Sequence, residues 1–152
     1  MDFKERCAGA GAENSLHLTE DKAGRVSATP KARILVIDDE KAIIDIMRIN
    51  LEMRGYSVAG CFDSTQALDK AMVEKPDMII LDLLMQEKNG WEVLKELKEN
   101  EATRDITVII CSVMKRGQVE DDVMKCGAAD YLAKPFDSVS LVGVIERALN
   151  PN

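Results

Sequence analysis

From residue 32 onward, the chain alternates between short apolar runs and longer amphipathic stretches. Arg33–Ile37 and Met78–Leu81 are nearly continuous runs of aliphatic side chains, a pattern typical of strands that are buried on both faces. Three further runs have strand length and end at polar or turn-forming residues. The predicted strands are Arg33–Ile37, Ser57–Phe62, Met78–Leu81, Thr107–Cys111 and Asp130–Ala133.

Each of these runs is followed by a stretch with apolar residues at helical spacing. Gly55 and Pro76 are placed to end the first two helices, and Ser64 and Ser138 are predicted N-caps of the second and the last. The predicted helices are Lys41–Met53, Thr65–Glu74, Gly90–Asn100, Lys115–Cys126 and Ser138–Leu149.

Five strands that alternate with five helices indicate βαβ units and a single parallel sheet. The predicted fold is α/β: a doubly wound five-stranded sheet of order 2-1-3-4-5, flavodoxin-like, with helices on both faces. Residues 1–30 are rich in Gly, Ala, Ser, Asn and Thr without a sustained period, and they are predicted to form a flexible N-terminal tail. Residues 31–152 form the predicted folded domain.

Composition and charge argue against two kinds of binding partner, nucleic acids and membranes. The chain carries a net charge of −7, and residues 31–152 contain 22 acidic and 16 basic side chains. An acidic body argues against direct nucleic-acid binding, which needs a basic face. The apolar runs are too short to span a bilayer, and the four cysteines show no pairing pattern. We therefore expect no membrane contact and a cytoplasmic location with reduced thiols.

Polar residues follow four of the predicted strands. Asp38 and Asp39 follow the first strand, Asp82 the third, Ser112 the fourth and Lys134 the fifth. Each alone is compatible with a cap, a turn or a solvated loop. Carboxyl ends of parallel strands share one edge of the sheet, where ligands bind. Three crowded carboxylates repel one another unless a cation lies among them.

The ligand types favour a particular cation. Carboxylates without His or Cys suit a hard divalent ion, Mg²⁺ or Mn²⁺, which keeps positions open for phosphate oxygens. Lys134 adds a second positive charge, so the site is suited to stabilising a phosphoryl group in transfer. The sequence has no glycine-rich nucleotide-binding motif. We infer that the phosphoryl group arrives on another molecule and that the nucleophile is a carboxylate.

Four segments together resemble the receiver domain of two-component response regulators, the CheY-like family. They are RILVIDDE at Arg33–Glu40, IILDLLM at Ile79–Met85, VIICS at Val108–Ser112 and DYLAKPF at Asp130–Phe136. The resemblance covers residues 32 to about 150, in order and with ordinary spacing. It implies a phosphoacceptor signalling domain rather than an enzyme in the usual sense.

The resemblance also implies roles for individual residues. Asp82 would accept a phosphoryl group from a phosphohistidine on a sensor histidine kinase or a histidine phosphotransfer protein. Asp39 would bind Mg²⁺ directly and Asp38 through water, and Asp82 and the backbone carbonyl of Leu84 would complete the protein ligands. Lys134 would pair with the phosphoryl oxygens.

A switch is implied as well. Ser112 would hydrogen-bond the phosphoryl group, and Tyr131 would turn inward. The surface formed by the fourth helix, the fifth strand and the fifth helix would then change. An unidentified output protein would read that surface, which is also a candidate for homodimer formation. The family commonly has a cis peptide bond at the position of Pro135.

The chain departs from the family pattern near the acceptor. Gln86 stands where the family usually has proline, and Asn89 stands where it usually has aspartate, although Asn89 can still cap the following helix. In the family, the side chains two positions after the acceptor and after the serine help to position the hydrolytic water, and neither Leu84 nor Met114 can hydrogen-bond a water. Val113 stands where the family usually has a small residue, and it would narrow access to the acceptor. The predicted result is slow autodephosphorylation.

Two other functions remain open at this point. One is a receiver fold that serves only as a protein-interaction module and is not phosphorylated in the cell. The other is a metal-dependent phosphatase with an aspartyl nucleophile. Phosphatases of that kind generally need a second acid two residues after the nucleophile, and Leu84 occupies that position.

Overall fold

A five-stranded parallel sheet forms the centre of the molecule. The computed structural model describes residues 18–20 and 26–150. The sheet consists of β1 (Arg33–Ile37), β2 (Ser57–Cys61), β3 (Met78–Leu81), β4 (Thr107–Ser112) and β5 (Asp130–Ala133). Its order is β2-β1-β3-β4-β5, with every neighbouring pair parallel. The predicted 2-1-3-4-5 order is confirmed.

Five helices connect the strands and follow the last one. They are α1 (Lys41–Glu52), α2 (Ala67–Glu74), α3 (Gly90–Glu99), α4 (Arg116–Lys125) and α5 (Ser138–Leu149). A short 3-10 turn, Ser64–Gln66, precedes α2. The predicted helix bounds agree with these at half of the ends and differ by one or two residues at the other half, as is usual where helices change geometry gradually.

Two predicted caps were wrong. The Asp63 carboxylate, not Ser64, accepts the Thr65 N–H at 3.0 Å and caps the 3-10 turn. Asp137, not Ser138, caps α5 by accepting the Ser140 N–H at 2.7 Å. In both cases the carboxylate one residue earlier reaches the free N–H groups of the first turn.

The cap predicted for α3 is confirmed. The Asn89 side chain accepts the Glu92 N–H at 3.0 Å, and the Glu92 carboxylate accepts the Asn89 N–H at 3.3 Å. This reciprocal capping box fixes the first turn of α3.

Alternate side chains of the strands pack into two separate cores. Leu35 and Ile37 of β1 face the core under α2, α3 and α4. Ile34 and Val36 face the core under α1 and α5. Strands buried on both faces explain the nearly continuous apolar runs of the sequence.

The N-terminal region is described only in part. Leu18–Glu20 and Val26–Ala28 pair as short antiparallel strands. Residues 1–17, 21–25, 151 and 152 lie outside the described residues, so the predicted flexible tail over residues 1–30 stays a prediction. Among the described residues, no helix is long and apolar enough to cross a membrane. The described cysteines, Cys61, Cys111 and Cys126, are free thiols.

Candidate functional site

The register of the sheet brings the first two acidic strand ends together. Ile37 on β1 and Leu81 on β3 are register partners, so Asp38 and Asp82 leave the sheet side by side. The Asp82 N–H donates to the Ile37 carbonyl at 3.0 Å. The backbone of the expected acceptor is therefore fixed against β1.

The ends of β4 and β5 meet in the same way. Ser112 is the register partner of Ala133, and the Lys134 N–H donates to the Ser112 carbonyl at 2.8 Å. The peptide bond between Lys134 and Pro135 is cis, as the family resemblance implied. The residues that carry the Ser112 hydroxyl and the Lys134 ammonium, which are predicted to act together, are thus joined by a backbone hydrogen bond.

The Lys134 ammonium joins the two buried acids. Its Nζ lies 2.7 Å from Asp38 Oδ2, 3.1 Å from Asp82 Oδ2 and 3.8 Å from Glu40 Oε1. The side chains of Asp38, Asp82 and Lys134 are nearly fully buried. Charge-assisted hydrogen bonds of this kind are strong in a desolvated site, so Lys134 holds Asp82 at the strand end.

Asp38, Asp39 and Asp82 have the geometry of a site for a hard cation. One carboxylate oxygen from each lies within 4.8 Å of the others. Three negative charges face the single positive charge of Lys134, so a divalent cation would relieve their repulsion. An all-oxygen set of carboxylates fits Mg²⁺, which keeps waters and open positions in its octahedron. The residues present therefore fit the predicted ion.

Backbone N–H groups orient two of these acids further. The Leu84 N–H donates to Asp82 Oδ1 at 3.1 Å, and the Glu40 N–H donates to Asp38 Oδ1 at 2.9 Å. Asp82 Oδ1 and Oδ2 thus have different partners, a backbone amide and an ammonium. The Leu84 carbonyl belongs to the same turn, and its role as a ligand stays a prediction.

The environment raises the pKa values of both Asp82 and Lys134, for different reasons. Burial raises the pKa of the Asp82 carboxyl, against the Lys134 charge and the Leu84 N–H, which lower it. Burial alone would lower the pKa of Lys134, but its hydrogen bond with Asp38 and the Asp82 charge outweigh burial and raise it. Burial also raises the pKa of the neighbouring Cys111 thiol to about 12, so this thiol does not compete as a nucleophile.

Ser112 and Tyr131, the predicted switch pair, lie close together. Ser112 is fully buried, and its Oγ accepts the Met114 N–H at 3.5 Å. Tyr131 is buried in the core under α2, α3 and α4. Its hydroxyl donates to the Met114 carbonyl and lies 3.5 Å from the Ser112 carbonyl. One loop, from Ser112 to Met114, therefore connects the acceptor site to the Tyr131 ring.

Apolar side chains border the acceptor. Leu84 is 52% exposed and Val113 is 61% exposed, whereas Met114 packs partly against the core. Leu84 lies two residues after Asp82 and Val113 one residue after Ser112, and both side chains are open to solvent. Neither offers a hydrogen bond to a water near Asp82.

Two residues that support the site were not predicted. Ser64 is buried, and its Oγ accepts the Lys88 N–H at 2.8 Å, which ties the loop after β3 to the turn before α2. Gly90 packs on the acceptor backbone: a Cβ there would lie 2.5 Å from Leu83 Cα and would overlap the Asp82 carbonyl. The Asn89-Gly90 pair is the sequence signal that could have pointed to Gly90. Ser64 directly precedes a predicted helix, so the sequence favoured a role as an N-cap.

Similarity to known proteins is consistent with this geometry. Residues 34–146 match the family described as the response regulator receiver domain. The chain is 39% identical over 119 residues to the DNA-binding dual master transcriptional regulator RpaA of Synechocystis sp. (strain PCC 6803), covering 77% of this chain and 48% of that protein. It is 38% identical over 104 residues to the alkaline phosphatase synthesis transcriptional regulatory protein PhoP of Bacillus subtilis, covering 68% and 42%.

Solved structures show the same fold. The chemotaxis protein CheY4 of Vibrio cholerae superposes with a TM-score of 0.72 at 26% identity, covering 77% of this chain and 98% of that one. The chain spans less than half the length of the two curated relatives, so the similarity concerns the domain that they share. The extent of the match, together with the acidic strand ends and Lys134, shows that this chain belongs to the family of response regulator receiver domains.

Proposed function

We propose that the protein is a phosphorylation-dependent signalling domain whose acceptor is Asp82. The observation that carries this proposal is the position of Lys134 Nζ, which contacts both Asp38 and Asp82, two members of the cluster that these acids form with Asp39. The arrangement concentrates positive charge where phosphoryl oxygens would lie once a cation is bound.

The transfer needs a donor with a labile phosphoryl group. A carboxylate oxygen of Asp82 forms a bond to phosphorus while the bond from phosphorus to the donor imidazole nitrogen breaks, and that electron pair stays with the imidazole. Lys134 neutralises charge on the phosphoryl oxygens. Asp39, Asp82 and the Leu84 carbonyl would hold Mg²⁺ directly and Asp38 through water. When bound, Mg²⁺ supplies charge stabilisation to the same oxygens.

The switch follows from the loop that Ser112 and Tyr131 share. A phosphoryl group on Asp82 would accept a hydrogen bond from the Ser112 hydroxyl and draw the Ser112–Met114 loop inward. The Tyr131 hydroxyl donates a hydrogen bond to the Met114 carbonyl. Movement of the loop would therefore change the hydrogen bond that holds the Tyr131 ring. The surface of α4, β5 and α5 would then present a different shape to an output protein or to a second copy.

The donor is proposed to be a sensor histidine kinase or a histidine phosphotransfer protein in the cytoplasm. The two curated relatives are named as transcriptional regulators, and RpaA is named as DNA-binding. For this chain, whose body is acidic, we propose an output through protein contact rather than direct nucleic-acid binding.

Incubation with acetyl phosphate or phosphoramidate in the presence of MgCl₂ tests the acceptor. We expect the intact mass to increase by one phosphoryl group, and the increase to disappear without Mg²⁺ and in Asp82→Asn. A wild-type chain that stays unmodified would support the alternative, a receiver fold used only for protein interaction. A modified Asp82→Asn would place the acceptor elsewhere.

The apolar border predicts a long-lived phosphoryl group. After removal of the donor, we expect decay over far more than a few seconds, because neither Leu84 nor Met114 positions a water. Leu84→Asn should shorten the lifetime about fivefold, since one well-placed hydrogen bond contributes about 1 kcal/mol. Val139→Asn, an exposed site on α5, is the control. Decay of the wild type within seconds would contradict this proposal.

A further inference from the structure

The loop between β3 and α3 directs alternate backbone N–H groups toward polar side chains. The Leu84 N–H donates to Asp82 Oδ1 at 3.1 Å, and the Gln86 N–H donates to Asp39 Oδ2 at 3.3 Å. The next alternate residue, Lys88, donates to Ser64 Oγ at 2.8 Å. Two of the three acceptors are carboxylates of the candidate cation site.

We propose that the Gln86 backbone amide is a positioning group for the metal-binding carboxylate Asp39. The inference rests on the proposed function, because it concerns the Mg²⁺ that the three carboxylates would hold. A carboxylate has two oxygens, so Asp39 can accept the Gln86 N–H on Oδ2 and keep its other oxygen for the cation. The amide thereby fixes the rotation of the carboxylate before the ion arrives.

Asp39 has more need of such a partner than the other two acids. Asp38 accepts from the Glu40 N–H and the Lys134 ammonium, and Asp82 accepts from the Leu84 N–H and the same ammonium. Asp39 is more exposed than either. Its orientation therefore depends more strongly on the Gln86 amide, and ordering a free carboxylate on binding would cost side-chain entropy.

The position of the Gln86 amide is itself held by the next anchor along the loop. Ser64 is only 3% exposed, and the Lys88 N–H that it accepts lies two residues after Gln86. The Lys88 ammonium also pairs with Glu96 on α3 at 2.7 Å. The loop is thus attached to the turn before α2 and to α3, which leaves the Gln86 N–H directed at Asp39.

Residue 86 also offers a direct way to remove the hydrogen bond. Proline has no backbone N–H, so Gln86→Pro removes the donor, whereas Gln86→Ala removes the same side chain and keeps the donor. Partners that orient a metal ligand typically contribute about 10- to 100-fold to metal affinity. This pair of variants separates the amide from the glutamine side chain.

The experiment is a titration of the full chain with MgCl₂, followed by isothermal calorimetry and by the rise in melting temperature with added Mg²⁺. We expect Gln86→Ala to bind Mg²⁺ like the wild type and Gln86→Pro to bind about tenfold more weakly. Equal affinities of the two variants would overturn the proposal. If the wild type binds no Mg²⁺, the proposed function fails at its metal site, which is a different result.

A second variant tests the anchor without changing residue 86. Ser64→Ala keeps the Gln86 amide but removes the acceptor of the Lys88 N–H, so we expect a loss of Mg²⁺ affinity of a few fold. If Gln86→Pro does not fold, Ser64→Ala decides the matter. Undiminished Mg²⁺ binding by a folded Ser64→Ala variant would then contradict the proposal.

Discussion

Asp82 combines two properties that oppose each other. To act as the proposed nucleophile it must be ionised, yet its burial raises its pKa and favours the neutral form. Lys134 offsets this only in part, because it also faces Asp38. The buried carboxylate therefore costs folding free energy at neutral pH until a cation binds beside it.

Substitution of the acceptor should show this cost. Without Mg²⁺, Asp82→Asn is expected to melt roughly 2–6 °C above the wild type, because one of three crowded negative charges is removed and Lys134 keeps Asp38 as a partner. With saturating Mg²⁺ the difference should shrink or reverse, since the wild type gains more from the ion. Differential scanning calorimetry of both proteins, with and without MgCl₂, measures these effects.

The same comparison has a pH dependence. A carboxyl group with a raised folded-state pKa stabilises the fold when it is protonated, and this contribution is lost as the pH rises from the unfolded pKa through the folded pKa. The advantage of Asp82→Asn over the wild type should therefore shrink as the pH falls through that window. A pH-independent difference would mean that packing, not charge, sets the stability.

At the residue scale the sequence predicted which side chains gather at the strand ends better than it predicted the residues that support them. Asp38, Asp39, Asp82, Ser112 and Lys134 are recognisable because each follows a strand of one parallel sheet. The Ser64 hydroxyl was not assignable, because its partner lies 24 residues away along the chain. Only the tertiary structure brings the turn before α2 against the loop after β3.

Among the elements, α3 is fixed directly against the acceptor. Its first residue, Gly90, leaves no room for a Cβ beside Leu83 and the Asp82 carbonyl. Gly90→Ala should lower the free energy of unfolding by about 2–3 kcal/mol, because the clash involves backbone that cannot move independently.

A second glycine provides the matched control for that change. A Cβ at Gly117, in α4, has no heavy atom within 4 Å, so Gly117→Ala should be neutral or stabilising by up to about 1 kcal/mol. Urea unfolding of both variants measures the difference. Equal stabilities would show that the approach of α3 to the acceptor is looser than described.

Helix α1 carries an apolar stripe on its outer surface. Ile46, Ile49 and Met53 recur at helical spacing and are exposed. The helix begins directly after Asp39 and Glu40, so the stripe extends away from the acceptor. A protein donor of the phosphoryl group has to approach this end of the sheet, and an exposed apolar stripe is a suitable contact surface.

A charge placed on this stripe should affect phosphorylation by a protein donor but not by a small-molecule donor. Ile49→Glu is expected to slow phosphotransfer from a protein donor at least tenfold, because it places a desolvated charge in the contact. Phosphorylation by acetyl phosphate should not change. Val73→Glu, on an exposed position of α2, is the control, and equal loss in both variants would argue against docking on α1.

The elements were largely predictable from local signals. Period and length predicted all ten strands and helices of the domain, because strands buried on both faces produce unbroken apolar runs. The caps were less predictable: Asp63 and Asp137 each lie one residue before the serine chosen as a cap, and either residue type can accept the free N–H groups.

For the whole molecule, the sheet and its five helices contain both described cores. Among the residues whose burial the structure describes, the first in either core is Ala32, and the Lys31 N–H donates to the Gly55 carbonyl at 2.9 Å. Deletion of residues 1–28 should therefore leave the melting temperature within about 2 °C of the full chain, as we expect for the flexible tail that the sequence predicts there. A larger fall in melting temperature would show that the paired strands Leu18–Glu20 and Val26–Ala28 belong to the folded domain.

The two cores lie on opposite faces of one sheet and share no buried residue. A residue in the core beneath α1 and α5 therefore packs against different side chains from a residue in the core beneath α2, α3 and α4. Stability effects of changes on opposite faces should therefore add rather than couple. Over evolutionary time, each face can accumulate changes without matching changes on the other. The core beneath α1 and α5 can thus change in sequence while the core that contains Tyr131 stays the same.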